Sequence, residues 1–251
     1  METRPDDRQP GEHIVRTYDQ ELDHLSVVLL EMGGLVISQV DTAVAAVIDG
    51  EEILAQRVLE REQEVNAQDG RLEGLVVKLL ARRQPMGNDL RAALSYLKSG
   101  TDLERCGDEA DKIARIARRI ARGDIPPVGR LENVVRDMGD LASRLLTDTL
   151  NALHDGNMER ALTVAEGDAS LDDQYREALR IFHEHLDDDE ETRQVVTELV
   201  LVVKALERVG DHATNMARYV IFAVLGKDVR HISGRALREE LHERARDPGY
   251  R

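Results

Sequence analysis

The chain carries one short acidic motif twice, and its carboxylates are spaced so that they can hold a cation. Glu104 and Asp108 lie four residues apart, and Glu207 and Asp211 repeat that spacing 103 positions later. Residues four apart in an α-helix lie on one face, one turn apart, so each pair brings two carboxylates together. Carboxylate oxygens arranged in this way can share one metal cation. The two pairs are therefore the first candidates for a binding site.

The repetition extends well beyond the acids. Residues 104–115 and 207–218 are identical at seven of twelve positions, whereas ordinary composition gives about one match in fifteen. Residues 31–66 and 137–172 align at a shift of 106 positions, with nine identities in 36. These two registers indicate a duplicated chain with two homologous units.

Each motif also contains a glycine, Gly107 in the first and Gly210 in the second. A glycine inside a helix costs about 1 kcal/mol relative to alanine, and two like charges one turn apart weaken a helix slightly. Because both penalties recur at matching positions, we expect a neighbouring helix, a metal ion, or both to approach this face closely. Arg105 and Arg208 flank the acids, and we expect them to pair with acids on adjacent helices.

Long helices must position these motifs. Aromatic residues make up only 3% of the chain, and abundant Ala, Leu, Glu and Arg favour helices over a β-rich fold. Helix-ending signals occur at Asp49-Gly50, around Pro85 and in the acidic run 187–191. The predicted helices are 13–48, 52–83, 88–122, 129–154, 157–186 and 190–226. Long helices joined by short connections form antiparallel bundles.

The predicted architecture is an all-α protein of two tandem, duplicated three-helix bundles. Pro126 and Pro127 mark the join, because paired prolines stop a helix and start an extended connector. The predicted divisions are a flexible tail (1–12), a first unit (13–123), a second unit (124–229) and a charged tail (230–251). A short helix is expected at 236–245 within the last of these.

Helical periodicity predicts that the motif acids point away from the apolar face of each unit, which includes Cys106 in the first and Val209 in the second. The acidic sides are formed by Glu104, Asp108 and Asp111 in the first unit and by Glu207, Asp211 and Asn215 in the second. Glu62 and Asp168 occupy equivalent places in the preceding helices and could face the same sites. We expect Cys106 to be buried and inert.

Composition narrows the classes of function. The formal net charge of −15 makes the chain a poor general binder of nucleic acid. A single cysteine allows no internal disulfide and fits a reducing compartment. The most apolar stretch, 195–206, contains Glu198 and Lys204 and is too short to span a bilayer. The sequence contains no GxxxxGK[ST] motif for nucleotide hydrolysis. We therefore predict a soluble, cytoplasmic protein that is not an enzyme.

The motif sequences resemble those of the PhoU family of bacterial phosphate-signalling proteins. The resemblance covers nearly the whole chain and rests on residues 31–36, on 83–91, on the duplicated ERxGD motif at 104–108 and 207–211, and on 230–234. Arg105, Gly107, Arg208 and Gly210 belong to that duplicated motif.

The resemblance implies two three-helix bundles related by a pseudo-twofold axis. It implies that Glu104, Asp108, Glu207 and Asp211 are ligands of surface iron or zinc clusters, as in some members, with Asp111 and Asn215 as additional candidates. It also implies a negative regulator of the phosphate-starvation response. Such a regulator links the ATPase subunit of a phosphate ABC transporter to a sensor histidine kinase, and reaches the membrane only through these partners. A homodimer is expected.

Two rival functions remain open. A metal-binding helical-bundle enzyme requires inward Glu and Glu-x-x-His ligands, and neither copy of the duplicated motif, at 104–115 or at 207–218, contains Glu-x-x-His. His183 and His185 lie in an acidic setting at the end of a predicted helix. A histidine phosphotransfer bundle requires an exposed histidine with a nearby base. His24, with Glu21 and Asp23 beside it, is the candidate for that role.

Overall fold

The computed structural model describes residues 10–227, 229, 232, 234 and 236–239, and within these residues it contains helices and no strand. Six long helices follow one another: α1 (Pro10–Asp49), α2 (Glu52–Arg83), α3 (Asn88–Ala121), α4 (Glu132–Asp155), α5 (Met158–Glu184) and α6 (Glu190–Leu225). A 3₁₀ turn, Gly129–Leu131, precedes α4. The all-α prediction is confirmed, and the predicted helix limits lie within a few residues of those observed.

The helix ends follow from local chemistry. Gly50 ends α1 with a φ of 64°, and Gly156 ends α4 with a φ of 58°; glycine adopts this left-handed conformation without a Cβ clash. These two glycines are equivalent at the shift of 106, so the first helix of each unit stops in the same way. At the start of α6, the Asp189 carboxylate accepts a hydrogen bond of 2.7 Å from the backbone N–H of Thr192.

The helices form two three-helix units that share one continuous core. Helices α1, α2 and α3 pack on one another, as do α4, α5 and α6, and the units meet where α1 packs on α4 and α3 packs on α6. Helices α3 and α6 run antiparallel. Ser95 Oγ donates to the Tyr219 carbonyl oxygen at 3.0 Å near one end, and Arg119 Nη1 lies 2.9 Å from Glu198 Oε1 near the other.

Equivalent residues meet at the centre of the α3/α6 crossing. Cys106 Sγ lies 3.8 Å from the Val209 carbonyl oxygen, and the shift of 103 makes these two residues counterparts. A residue that touches its own counterpart lies close to the axis relating the two units. Cys106 is fully buried there, as predicted.

The α1/α4 crossing shows the same symmetry independently. A Cβ added to Gly33 would lie 2.4 Å from the Leu150 side chain, and a Cβ added to Gly139 would lie 2.8 Å from the Val44 side chain. Gly33 and Gly139 are counterparts at the shift of 106, and so are Val44 and Leu150. The two contacts are therefore one contact repeated by an approximate twofold rotation, and the predicted pseudo-twofold symmetry is confirmed.

One helix is long enough to be compared with a membrane span. Among the described residues, Gln20–Asp49 in α1 is long and apolar enough to cross a membrane by length and composition. Half of its apolar window is buried inside the protein, where α1 packs on α2, α3 and α4. The core helix of a bundle has the same composition, so one such helix is weak evidence for a membrane span.

The terminal predictions are only partly covered by the described residues. Helix α1 begins at Pro10, so the predicted tail 1–12 is too long by three residues, and residues 1–9 lie outside the described part. Residues 236–239 are helical, where a helix was expected at 236–245, and the rest of that segment lies outside it. This segment contacts α5, because Arg238 pairs with Glu166 at 2.6 Å and with Glu159 at 3.1 Å.

Candidate functional site

The motif acids of the first unit lie on the outer side of α3 and are only partly exposed. The side chains of Glu104 and Asp108 are 24% and 32% exposed. Arg105 pairs with both, at 3.5 Å from Glu104 and 3.2 Å from Asp108, rather than with an acid on an adjacent helix as expected. Asp111 pairs with Arg115 at 2.7 Å, one turn further along α3.

Glu62 of α2 joins Glu104, Asp108 and Asp111 of α3 to form a first-unit acidic patch. Burial raises the pKa of Glu62, and the charges of Asp111, Asp108 and Glu104 raise it further. Glu62 Oε1 accepts from Asn66 at 3.2 Å, whereas Oε2 is buried and has no hydrogen-bond partner within the described part of the chain. Carboxylates that repel one another and keep an unsatisfied oxygen create a field that attracts a cation.

Burial is also the main cause of the raised pKa of Glu104, and the neighbouring charge of Asp108 adds to it. Glu62 and Glu104 therefore share both causes, namely partial removal from water and nearby carboxylates. The prediction that Glu62 could face the motif acids agrees with this arrangement. The side chain of Asp168, the counterpart of Glu62, lies outside the described residues.

The second unit arranges the same motif differently. Glu207 is only 8% exposed, so the prediction that it points outward into solvent was wrong. Lys204 Nζ lies 2.6 Å from Glu207 Oε2 and also lies over the ring of Tyr175 in α5, at 5.2 Å from its centre. This hydrogen bond is the main cause of the raised pKa of Lys204. The first unit has Thr101 at the position of Lys204, so only the second motif contains a cation of this kind.

The remaining second-unit candidates lie closer to solvent. Asp211 is exposed, and its charge contributes to the raised pKa of Lys204. Asn215 is half-buried, and its Oδ1 accepts from Arg218 at 3.4 Å. Asp211 therefore shares with Glu207 the positive charge of Lys204, whereas Asp108 and Glu104 share that of Arg105.

The two motif glycines face the middle helix of their own unit, α2 in the first and α5 in the second. A Cβ added to Gly107 would lie 3.4 Å from Val65 of α2, and a Cβ added to Gly210 would lie 1.9 Å from Leu171 of α5. Val65 and Leu171 are counterparts at the shift of 106. The middle helix of each unit therefore lies beside the motif glycine. Close packing accounts for Gly210, whereas a Cβ at Gly107 would make only ordinary contact.

Two buried carboxylates that the sequence analysis missed connect α3 to α6. Glu109 is 3% exposed and lies 2.9 Å from Lys112 Nζ and 2.8 Å from Arg208 Nη1. Asp102 Oδ1 lies 2.7 Å from His212 Nδ1 across the same interface. Arg208 thus pairs with an acid on an adjacent helix, as expected for it.

The histidines singled out in the sequence lie near the surface. His24 is exposed, but both oxygens of its neighbour Glu21 accept from Arg83, at 2.9 and 3.0 Å. That hydrogen bond lowers the pKa of Glu21, which makes it a poor acceptor for a proton from His24. His183 is exposed and His185 is half-buried, with Nδ1 of His185 2.8 Å from the Ile181 carbonyl oxygen.

A metal ion implied by the family resemblance can be tested against the geometry of these groups. Among the residues that the structure describes, no three His, Cys, Asp or Glu side chains converge closely enough to hold a metal ion. The donor chemistry of the first-unit acidic patch nevertheless fits a cation, because Glu62 keeps one unsatisfied buried oxygen. Binding would require the patch carboxylates to move closer together. In the second unit, Lys204 already compensates Glu207.

A sequence model of a family, described as the PhoU domain, matches this chain twice, at residues 29–117 and 135–220. The chain belongs to the PhoU family. The first match runs from α1 to α3 and the second from α4 to α6, so each covers one three-helix unit.

Named relatives extend over most of the chain. A phosphate-specific transport system accessory protein PhoU homolog from Pseudomonas aeruginosa is 39% identical over 229 residues, which is 91% of this chain and 94% of the relative. The accessory protein PhoU of Escherichia coli is 29% identical over 225 residues, covering 89% and 92% of the two chains.

Solved PhoU structures share the fold. The crystal structure of PhoU from Pseudomonas aeruginosa superposes with a TM-score of 0.79 at 37% identity, covering 84% of this chain and all of that one. The PhoU structure from Streptococcus pneumoniae, titled a phosphate transport system regulatory protein, gives a TM-score of 0.76 at 25% identity.

Proposed function

We propose that this protein is an accessory protein of a phosphate-specific transport system and acts as a negative regulator of the phosphate-starvation response. The observation that carries this proposal is the match over both units to relatives named as accessory proteins of that system, at up to 39% identity among those described above. The duplicated motif lies inside both matched regions. The proposed action is to bind partners without turnover.

The proposed regulatory role requires two partner proteins. The protein contacts the ATPase subunit of a phosphate ABC transporter and a sensor histidine kinase, in the cytoplasm, and forms a homodimer. The arrangement of polar groups supports a binding role, because the motif side chains are engaged in ion pairs and helix packing. Burial raises the pKa of the Cys106 thiol well above its ordinary value, so this cysteine is a poor nucleophile.

A genetic test addresses the regulatory role. Deleting the gene should raise the output of a phosphate-starvation promoter in phosphate-rich medium, and the intact gene supplied in trans should restore repression. A cross-linked, tagged protein recovered from the same cells should carry the transporter ATPase subunit or the sensor kinase, as identified by mass spectrometry. Unchanged promoter output after deletion would contradict the regulatory role.

We further propose that the first-unit acidic patch binds a cation, iron or zinc, and that the second motif binds it more weakly. Glu62, Glu104, Asp108 and Asp111 would hold the ion in the first unit, and its positive charge would offset their mutual repulsion. Glu207 and Asp211 are the corresponding ligands in the second unit. In both units the ion must compete with a cation of the protein. Lys204 lies 2.6 Å from Glu207, whereas Arg105 lies 3.5 Å from Glu104 and 3.2 Å from Asp108, so we expect the competition to be stronger in the second unit.

Metal content of matched double variants tests this ranking. Glu104→Gln with Asp108→Asn should remove most of the bound iron or zinc measured by elemental analysis. Glu207→Gln with Asp211→Asn should remove less, while circular dichroism shows unchanged helicity in both. Equal metal content in the wild-type protein and the first variant would exclude these ligands.

A further inference from the structure

A groove between α3 and α6 concentrates positive charge on a protein that is otherwise strongly acidic. It encloses about 400 Å³ and is bordered by Lys112, Arg115 and Arg119 of α3 and by Lys204 and Arg208 of α6. We call it the cationic groove. Two carboxylates, Glu109 and Glu198, also line it, and Arg115 and Lys204 pair with Asp111 and Glu207 beside it. Five cations thus face four carboxylates here, whereas the whole chain carries a formal charge of −15.

The cations of the groove are held in place by the protein itself. Buried Glu109 binds both Lys112 and Arg208, one from each helix, and Arg119 pairs with Glu198 across the groove at 2.9 Å. About half of the side-chain surface of Arg119 and of Arg208 remains exposed. A guanidinium group has five N–H donors, so one ion pair leaves it able to bind further acceptors. The groove is therefore ordered before any partner arrives, which lowers the entropic cost of binding.

The floor of the groove is apolar. Ile116 and Ala205 are buried at its base, and Leu201 is 57% exposed within it. Positions 112, 116 and 119 on α3, and 201, 205 and 208 on α6, follow the i, i+4, i+7 spacing of a single helix face. The groove thus presents a short apolar patch, formed by Ile116, Leu201 and Ala205, between two cationic edges.

This combination distinguishes between classes of ligand. A small inorganic anion gains nothing from the apolar floor, and the Glu109 carboxylate would repel it. An amphipathic helix satisfies both features, because its apolar face can cover Leu201 while acidic residues on its flanks meet the cationic edges. A basic segment is disfavoured by the cations of the groove, and a nucleic acid is disfavoured by the overall negative charge of the chain.

The groove is not a simple product of the duplication. The cations Lys112, Arg119 and Lys204 have as counterparts Asn215, Phe222 and Thr101. On the counterpart surface, Lys98 lies over the rings of Tyr219 and Phe222 instead of at the edge of a cleft. The two counterpart surfaces of the α3/α6 pair therefore differ in charge, and the cationic groove belongs to one of them.

We propose that the cationic groove docks an acidic amphipathic helical segment of a partner protein. The proposal stands on charge complementarity and on the apolar floor, and it requires no bound metal ion. The duplicated acidic motif does not account for this groove, whereas an acidic amphipathic helix would fit both its cations and its apolar floor.

A designed peptide provides the probe. The peptide carries leucines at i, i+3, i+4 and i+7 and glutamates on its flanks, and a scrambled peptide has the same composition without the apolar face. Fluorescence anisotropy should show that the full-length protein binds the first peptide at least about tenfold more tightly than the second. The affinity should fall as the salt concentration rises.

Variants of the groove identify the site of binding. Lys112→Ser with Arg119→Ser removes edge charges, and Leu201→Ser removes the exposed apolar contact; each should weaken binding about tenfold or more. Arg176→Ser with Arg180→Ser is the matched control, because it removes two equally exposed, ion-paired arginines of α5. Peptide affinity should be unchanged in the control. Equal affinity in the groove variants and the wild-type protein would overturn the proposal.

Two further measurements test the alternative occupants of the groove, a small anion and a second copy of this chain. Titration calorimetry should detect no binding of inorganic phosphate to the groove. If the wild-type protein bound phosphate and the groove variants did not, the ligand of the groove would be a small anion and the proposal would be wrong. Sedimentation analysis should give the same oligomeric state for the wild-type and Leu201→Ser proteins. If the variant dissociated an oligomer, the occupant of the groove would be a second copy of this chain, and the proposal would be wrong.

Discussion

Replacing Gly210 with alanine should destabilise the protein, whereas the same change at its counterpart Gly107 should not. Both glycines lie inside helices, so alanine should gain about 1 kcal/mol in helix propensity at either position. The new Cβ would lie 3.4 Å from Val65 at position 107, which is ordinary contact. At position 210 it would lie 1.9 Å from Leu171 Cδ2, with Leu145 a further 3.5 Å neighbour.

The clash at position 210 has little room to relax, because Leu171 is buried in the core. Overpacking of this kind costs about 1–3 kcal/mol. We therefore expect Gly210→Ala to lose about 1–2 kcal/mol of unfolding free energy after the helix-propensity gain is included, and Gly107→Ala to be neutral or to gain up to about 1 kcal/mol. Urea unfolding followed by far-UV circular dichroism measures both changes.

A double variant identifies the cause. Leu171→Ala alone should be destabilising, because it leaves a cavity, but Gly210→Ala added to it should cost less than it does in the wild-type protein, since the clashing methyl group is gone. The reasoning fails if Gly210→Ala is as stable as Gly107→Ala. It also fails if the two changes at 171 and 210 are additive.

Two further predictions concern titratable groups. The raised pKa of Glu62 means that the folded state binds its proton more tightly, so this group's contribution to stability falls as the pH rises from about 4.3 through the folded-state pKa. Glu62→Gln should therefore raise the Tm at neutral pH and have little effect near pH 4, and an equal effect at both pH values would contradict this explanation. Buried Cys106, with its raised thiol pKa, should react with a thiol reagent only after unfolding in urea; rapid labelling of the native protein would show that the α3/α6 interface opens.

The fold could be predicted from the sequence because its signals are local. Glycines that follow an aspartate end the first helix of each unit, and the two registers of the repeat fix the equivalence of the units. Contacts such as Cys106 with Val209 then follow from twofold symmetry. The exposure of the motif acids was harder to predict, because α3 and α6 each pack on three other helices. A single apolar face does not describe a helix that is covered on several sides.

Glu109 illustrates this limit. It lies three residues after Cys106 and four before Ile113, both of which are buried, so helical spacing alone places it beside the apolar face. Its charge made it look like a surface residue, although a carboxylate can be buried where cations reach it. The cations come from Lys112 on the same helix and from Arg208 on α6, and Arg208 is distant in sequence. Only the tertiary structure brings them together.

The differences between the two units are the most informative feature for function. Duplication gives the protein two copies of each surface, and equal copies would bind equal partners. The copies have diverged where Thr101 corresponds to Lys204 and where Lys112 corresponds to Asn215. The first change gives the second motif a lysine that pairs with Glu207, whereas the acids of the first motif pair with arginines; together the two changes add positive charge to the cationic groove. A protein proposed to contact two different partners requires two unlike surfaces, and these substitutions supply them while the glycine contacts keep the scaffold symmetric.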